Sequence, residues 1–350
     1  MRRKLYILLV FTAIVLVGSF FLSVTFGVVL FVLVCFAVLA MFVFLLMNKI
    51  IKKTNWWYNQ YKATEQFITG VGYRDNIIRN YDIVNLGSNP ARYAFFYEDV
   101  KGQSWATGSQ GQDMDFEILK FYHSYLKENG VVLIPIMPFS ALSPYLKEHP
   151  EHWGLAYYSK FAKILDYSQI LTLPNGRRTL FYLRFPLLFN WRAVRYIFRD
   201  VKEDNTYWTT EQPMMKMELE QDATIWINAW LKEFGLNGLD DVFDERWKKY
   251  IEEAVSLNRK MVDFCLDRNL KPVFICVPMT KHLSCMFTEK VFDYLVLNFV
   301  GECNVHHIPF LDYTHDDRFI NDNLYLNSFF LNLKGRKTFT TQVLKDLNLL

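Results

Sequence analysis

The chain opens with a run that has no polar alternation at all. From Leu5 to Met47, 43 residues pass without a charge, whereas the later apolar runs are short and bounded by polar residues. As a single helix this run would be roughly 65 Å long, about twice the hydrocarbon core of a bilayer. Its length therefore predicts two spans, 5–22 and 28–47, with a break near Ser23-Val24-Thr25-Phe26-Gly27. Arg2, Arg3 and Lys4 precede it; Lys49, Lys52 and Lys53 follow, and then Trp56, Trp57 and Tyr58, residues suited to an interfacial belt. Basic clusters at both ends of a two-helix hairpin favour a cytoplasmic soluble part. A cleaved signal peptide ending near Gly18-Ser19 would instead leave one anchor and an exported domain. On this pattern residues 1–53 are an anchor, 54–80 a linker with a helix near Asn59–Thr69, and 81–350 the globular part.

Beyond Tyr81 the periodicity alternates between strand and helix. Ile83–Leu86 reads as a short buried strand, and Phe116–Glu128 (FEILKFYHSYLKE) as an amphipathic helix stopped by Asn129-Gly130. Val131–Pro138 (VVLIPIMP) is apolar throughout, as a strand buried on both faces requires. The stretch 141–242 is an irregular insertion, with a hairpin signal at Asn175-Gly176 between Ile170–Leu173 and Thr179–Leu183. Helical spacing returns over Glu245–Asn269; strands follow at Pro272–Val277 and Val305–Leu311, and a helix at Gly335–Leu347. This order predicts an α/β fold with a parallel sheet between helical layers.

Composition adds little chemistry of its own. The net charge is +3, and the six Lys and Arg flanking the apolar run leave −3 for residues 54–350. With no basic stripe, nucleic acid is not an expected partner. The five cysteines (Cys35, Cys265, Cys276, Cys285, Cys303) show no CxxC or Cys/His spacing, so neither a metal nor any other cofactor is expected. His306 and His307 begin a predicted strand and read as structural. His123 and Asn258 lie on or beside apolar helix faces.

Candidate chemistry begins at YDIVNLGSNPARYAF, residues 81–95, where an apolar run feeds into Gly87-Ser88-Asn89-Pro90. A strand ending in Gly-Ser can present a hydroxyl at the carboxyl edge of a parallel sheet, although Gly-Ser and Asn-Pro are also ordinary turn dipeptides. Two further blocks follow: SWATGSQGQDMDFEILKFYHSYLKENGVVLIPIMPFS (104–140) and IPFLDYTHDDRFINDNLYLNSFFLNLKGRKTFTTQVL (308–344). In order and spacing they resemble the SGNH (GDSL) hydrolase superfamily, in its membrane-anchored branch from bacterial surface-polysaccharide loci. The resemblance covers roughly residues 80–345. It implies a three-layer α/β/α, flavodoxin-like domain with a parallel sheet and acyl-transfer chemistry by a Ser-His-Asp set.

On that resemblance Ser88 falls at the nucleophile. Gly87, Asn89, Gly108, Gln110 and Asn332 fall in the blocks that bind the oxyanion or shape the site. The terminal block NSFFLNLKG aligns with Asp-x-x-His-Leu-Asn-x-x-Gly, which puts Asn327 at the acid and Phe330 at the base, while Leu331, Asn332 and Gly335 keep the pattern. Phenylalanine accepts no proton and Asn327 has no charge to stabilise an imidazolium, so Ser88 lacks its partners. His315, in DYTHDDRF beside Asp312, Asp316 and Asp317, is the replacement base to consider. Asp113 and Asp115 read as N-terminal helix charges complementing the macrodipole. FYLRFPLLFNW (181–191), with Arg184 and Arg192, reads equally as an interaction surface or as a core strand and loop.

Two functions follow. The first is a membrane-anchored, catalytically degenerate accessory or binding protein for surface-polysaccharide assembly or acylation. Its expected partners are the bilayer, a glycan, and a membrane-bound O-acyltransferase or assembly protein. The second is an active serine esterase or O-acyltransferase using Ser88 with a base such as His315. The resemblance implies the bacterial cell membrane and an extracytoplasmic domain, whereas the flanking charges suggest a cytoplasmic one.

Overall fold

A computed structural model describes residues 2–59, 68–69, 72–73, 80–148, 159–173, 175–199 and 209–350. The chain divides into two compact units, Met1–Thr54 with Arg184–Asp200, and Asn55–Leu183 with Val201–Leu350.

In the first unit, α1 (Arg2–Ile51) is one continuous helix of 50 residues. Within it Val10–Ile51, 42 residues, is long and apolar enough to cross a membrane, with mean hydropathy reaching 3.3. The expected break at Ser23–Gly27 is not there. The Ser23 hydroxyl donates to the Phe20 carbonyl and the Thr25 hydroxyl to those of Phe21 and Leu22. Both polar groups are thus satisfied inside the helix and give the chain no reason to turn. At the C-terminal end, Asn48 Oδ1 accepts the Leu187 N–H at 3.0 Å, and Phe44 packs on Phe185 with ring centroids 5.9 Å apart. Leu187 and Phe185 belong to a chain of short helical turns, Pro186–Phe189 and Trp191–Ile197.

The second unit is built on a five-stranded parallel sheet. Its strands are β1 (Tyr81–Asn85), β2 (Gly102–Ser104), β3 (Leu126–Pro135), β4 (Lys271–Cys276) and β5 (Phe310–Asp312), in the order β2-β1-β3-β4-β5. Burial on both faces follows from the sequence with period two. Val84, Val132, Ile134, Phe274 and Cys276 point to one face, where they join Ile118, Leu119 and Tyr122 of α2 (Gln112–Tyr122) and Val255, Met261, Val262 and Cys265 of α4 (Lys248–Leu266). Ile83, Val131, Leu133, Val273 and Ile275 point to the other, against Phe339, Val343 and Leu344 of α5 (Leu333–Asp346). The remaining long helix, α3 (Lys216–Glu233), contributes Ala223 and Ile227 to the first cluster.

Several boundaries move. The helix expected over Phe116–Glu128 ends at Tyr122, because Leu126 already pairs with Tyr81; Asn129, at φ 59°, bends β3 rather than closing a helix. The expected hairpin at Asn175-Gly176 is a pair of helices, Tyr167–Thr172 and Gly176–Arg184. Asp166 and Gln169 form a capping box that starts the first, and Asn175 turns the chain at φ 57°. The strand expected over Val305–Leu311 is only Phe310–Asp312; His307 lies in a turn at φ 53°, and His306 pairs with Asp263 at 2.6 Å. The edge strand β2 has no hydrophobic pattern of its own. Near the linker, a short helix covers Asn55–Asn59 and Ile68–Thr69 pairs antiparallel with Gly72–Tyr73; residues 60–67 lie outside the described residues.

The start of α5 is a tight fit. A Cβ on Gly335 would lie 2.0 Å from the Leu324 carbonyl oxygen, so the helix backbone touches the preceding loop. Gly335→Ala should therefore lower stability by roughly 1–3 kcal/mol or more, read as a lower urea midpoint at unchanged slope.

Candidate functional site

In a parallel sheet of this order the chain leaves β1 for β2 on one side and returns to β3 on the other, which opens a crevice at the carboxyl ends of β1 and β3. A cavity of about 190 Å³ lies there. One wall is Gly87–Ala91, a second Ser109–Gln112 with Asp115, and a third Pro135 with Met137–Ser140 and Ser143. Leu146 of the short helix Tyr145–Glu148, and Trp226, Trp230 and Glu233 of α3, with Phe234 and Phe329, complete the lining.

Gly87 makes the turn into this cavity. Its φ is +104°, and an added Cβ would approach Pro135 Cγ to 2.9 Å and Ala91 Cβ to 3.0 Å. Only glycine combines that dihedral with that contact. Its N–H donates to Asp115 Oδ1 at 2.8 Å and so is not directed at the cavity. Ser88 follows as the residue before the short helix Asn89–Arg92; it is half-buried, lines the cavity, and its hydroxyl makes no hydrogen bond with a described residue. Asn89 lines the same wall, its amide oxygen 2.9 Å from where a Gly108 Cβ would be. Gly108 gives its carbonyl to Lys160 Nζ at 2.7 Å. Burial holds the Lys160 ammonium well below its ordinary pKa, and the neighbouring Arg92 lowers it further.

Gln110 lines the cavity, but both hydrogens of its amide are engaged, one by the Trp105 carbonyl at 3.2 Å and one by Asp115 Oδ1 at 2.5 Å. It therefore positions Asp115 rather than offering a donor to a ligand. Asp115 is more than a helix-end charge. It is 2 % exposed, and burial pushes its carboxyl up to about 7 against the opposing pull of the Gln110 and Gly87 hydrogen bonds. Asp113, two residues earlier, is half-buried and 3.9 Å from Lys147; burial raises its carboxyl too, against the opposing pull of Lys147. Gln112 lines the cavity, but its Nε2 is buried away from solvent without a hydrogen-bond acceptor, and its Oε1 accepts the Ser143 hydroxyl at 3.4 Å.

The terminal block lies beside the serine loop. Phe330 is 5 % exposed and stacks on Tyr93, five residues beyond Ser88, with centroids 4.6 Å apart and planes at 11°. Asn327 Oδ1 accepts the N–H groups of Phe329 and Phe330 at 2.9 and 2.7 Å and so closes a turn. Asn332 caps α5, accepting the Gly335 N–H at 2.9 Å, while its Nδ2 donates to the Asn323 carbonyl at 2.9 Å. None of Asn327, Phe330 and Asn332 lines the cavity. His315 is exposed on the loop after β5, edge-on to Phe292 with centroids 5.2 Å apart, and does not line the cavity either. No described histidine does.

The aromatic wall escaped the sequence reading. Trp226 and Trp230 are one turn apart on α3, inside the stretch read as irregular; their rings meet Phe329 at 5.2 and 5.0 Å. The signal was present, since Leu219, Ala223, Trp226, Ile227 and Trp230 recur at helical spacing. Among the described residues no group of His, Cys, Asp and Glu is arranged to hold a metal ion. No family model matches the chain, and no curated protein matches its sequence.

Asp115 sets a pH dependence. The native state keeps its proton up to about pH 7, whereas an unfolded Asp releases it near 3.8. Between those values the native state binds more protons, so stability falls as pH rises, by about 4 kcal/mol in all. Asp115→Asn keeps the acceptor for Gly87 and Gln110 and should abolish that slope, leaving the variant more stable than wild type above pH 7 in urea titrations.

Proposed function

We propose that this chain is a membrane-anchored protein with an SGNH-like α/β/α domain whose catalytic set has been replaced. It binds a glycan as an accessory component of surface-polysaccharide assembly or acylation. One observation carries the reading: Ser88 faces the cavity without a basic partner, while Asn327 and Phe330, at the acid and base positions of the resemblance, are used for a turn and a stack. The sheet order and the helices on both faces are compatible with the flavodoxin-like arrangement the resemblance implies.

The lining suits a sugar. Trp226, Trp230 and Phe329 offer flat apolar faces to C–H groups, while Ser88 and Asn89 offer hydrogen bonds to hydroxyls. Val10–Ile51 provides the anchor, in a bacterial cell membrane on this reading, with a membrane-bound O-acyltransferase or polysaccharide-assembly protein as partner.

A second reading, an active esterase or O-acyltransferase, draws support from Asp115 rather than His315. Asp115 lines the same cavity, and a carboxyl pushed up to about 7 suits proton transfer near neutral pH. Hydrolysis of p-nitrophenyl acetate and labelling by a fluorophosphonate separate the two. We expect wild type and Ser88→Ala to give the same rate and no label; Ser88-dependent labelling would overturn the binding reading, and its loss in Asp115→Asn or in His315→Ala would identify the base. For the binding reading itself, calorimetry with O-acetylated surface oligosaccharides should show Trp230→Ala about tenfold weaker than wild type, a loss of about 1.4 kcal/mol. Equal affinity would remove α3 from the ligand site.

A further inference from the structure

We propose that Arg184–Arg199 is an interfacial segment that docks on the anionic surface of the bilayer at the end of α1, a proposal that rests on the reading of Val10–Ile51 as a membrane span.

Its place comes from two contacts. The uncharged run ends at Met47, and Asn48 and Lys49 are the first residues suited to leaving hydrocarbon. At that level Asn48 Oδ1 holds the Leu187 N–H, and Phe44 holds Phe185. Pro186, Leu187 and Ala193 are buried, so the segment is fixed through its inner side.

Its outer side is both apolar and cationic. Leu188 is 62 %, Trp191 72 % and Phe198 82 % exposed, a costly display in water for three large side chains within eleven residues. Arg184, Arg192, Arg195 and Arg199 are exposed among them, and no acid occurs from Arg184 to Arg199 or anywhere in residues 1–54. The guanidinium groups lie on rings: Arg184 is 5.4 Å from the Phe185 centroid, Arg192 5.9 Å from Trp191, and Arg195 4.8 Å from Tyr196. This arrangement lets the stems lie with the aromatics in the acyl boundary while the charged heads reach lipid phosphates. With Lys49, Lys52 and Lys53 the unit carries seven cations next to the end of an apolar helix, complementary to an anionic leaflet. A protein partner would have no need of that position beside the span.

Spin-label depth measurements on the full chain test this, in phosphatidylcholine vesicles containing phosphatidylglycerol. Labels are placed by Leu188→Cys and Phe198→Cys after replacing the two exposed cysteines, Cys35 and Cys285. Val38→Cys, about 15 Å along the apolar helix from Asn48, and Lys334→Cys on the exposed surface serve as references. Labels at 188 and 198 should be relaxed more by oxygen than by a water-soluble nickel chelate, at a depth between the references. Removing phosphatidylglycerol, or changing Arg192, Arg195 and Arg199 to Gln, should raise chelate access about twofold or more. A label at 198 as chelate-accessible as the one at 334, with 38 still in lipid, would overturn the interfacial docking and leave the anchor standing. Chelate access at 38 as well would overturn the anchor itself. Protection of 198 from both reagents would mean a protein contact and would also overturn the proposal.

Discussion

The close approach of Gly87 to Pro135 is the constraint on which the site depends. Where β1 and β3 end side by side, the chain must turn within van der Waals distance of the neighbouring strand, at a dihedral closed to other residues. That turn leaves the Gly87 N–H inside the protein, where it needs an acceptor, and Asp115 supplies one from the first turn of α2. Burying a carboxyl to satisfy one amide is unfavourable unless it is supported, and Gln110 supports it from the loop between. The raised Asp115 carboxyl, the fixed Gln110 and the outward Ser88 are thus consequences of one packing contact.

The terminal block serves architectural needs of its own. Asn332 and Gly335 match the resemblance because α5 needs a cap and a close passage over Leu324, requirements independent of catalysis. At the two positions that the resemblance assigns to an acid and a base, Asn327 closes a turn and Phe330 extends an aromatic cluster through Tyr93, Trp226 and Phe329. Trp226 and Phe329 of that cluster line one wall of the cavity. A ligand there would meet aromatic faces beside the Ser88 hydroxyl and the raised Asp115 carboxyl.

What the sequence determined by itself was whatever depends on local periodicity and burial. Val131–Ile134 and Val273–Cys276 could only be strands covered on both faces, and the uncharged N-terminal run could only be a segment that avoids water unless buried. Gly87-Ser88 after such a strand pointed to the site for the same reason. Tertiary structure decided the rest. Whether Ser23 and Thr25 break a helix depends on where their hydroxyls bond, and whether Asn129 ends a helix or bends a strand depends on Leu126 meeting Tyr81. The role of Asp115 was invisible because a carboxylate on the first turn of a helix looks solvated until a distant backbone amide is brought against it. Trp226 and Trp230 joined the site through the packing of α3 on Phe139, Phe329 and Phe330. Residues about a hundred positions apart then share one cavity, a proximity set by three-dimensional packing and absent from any local pattern.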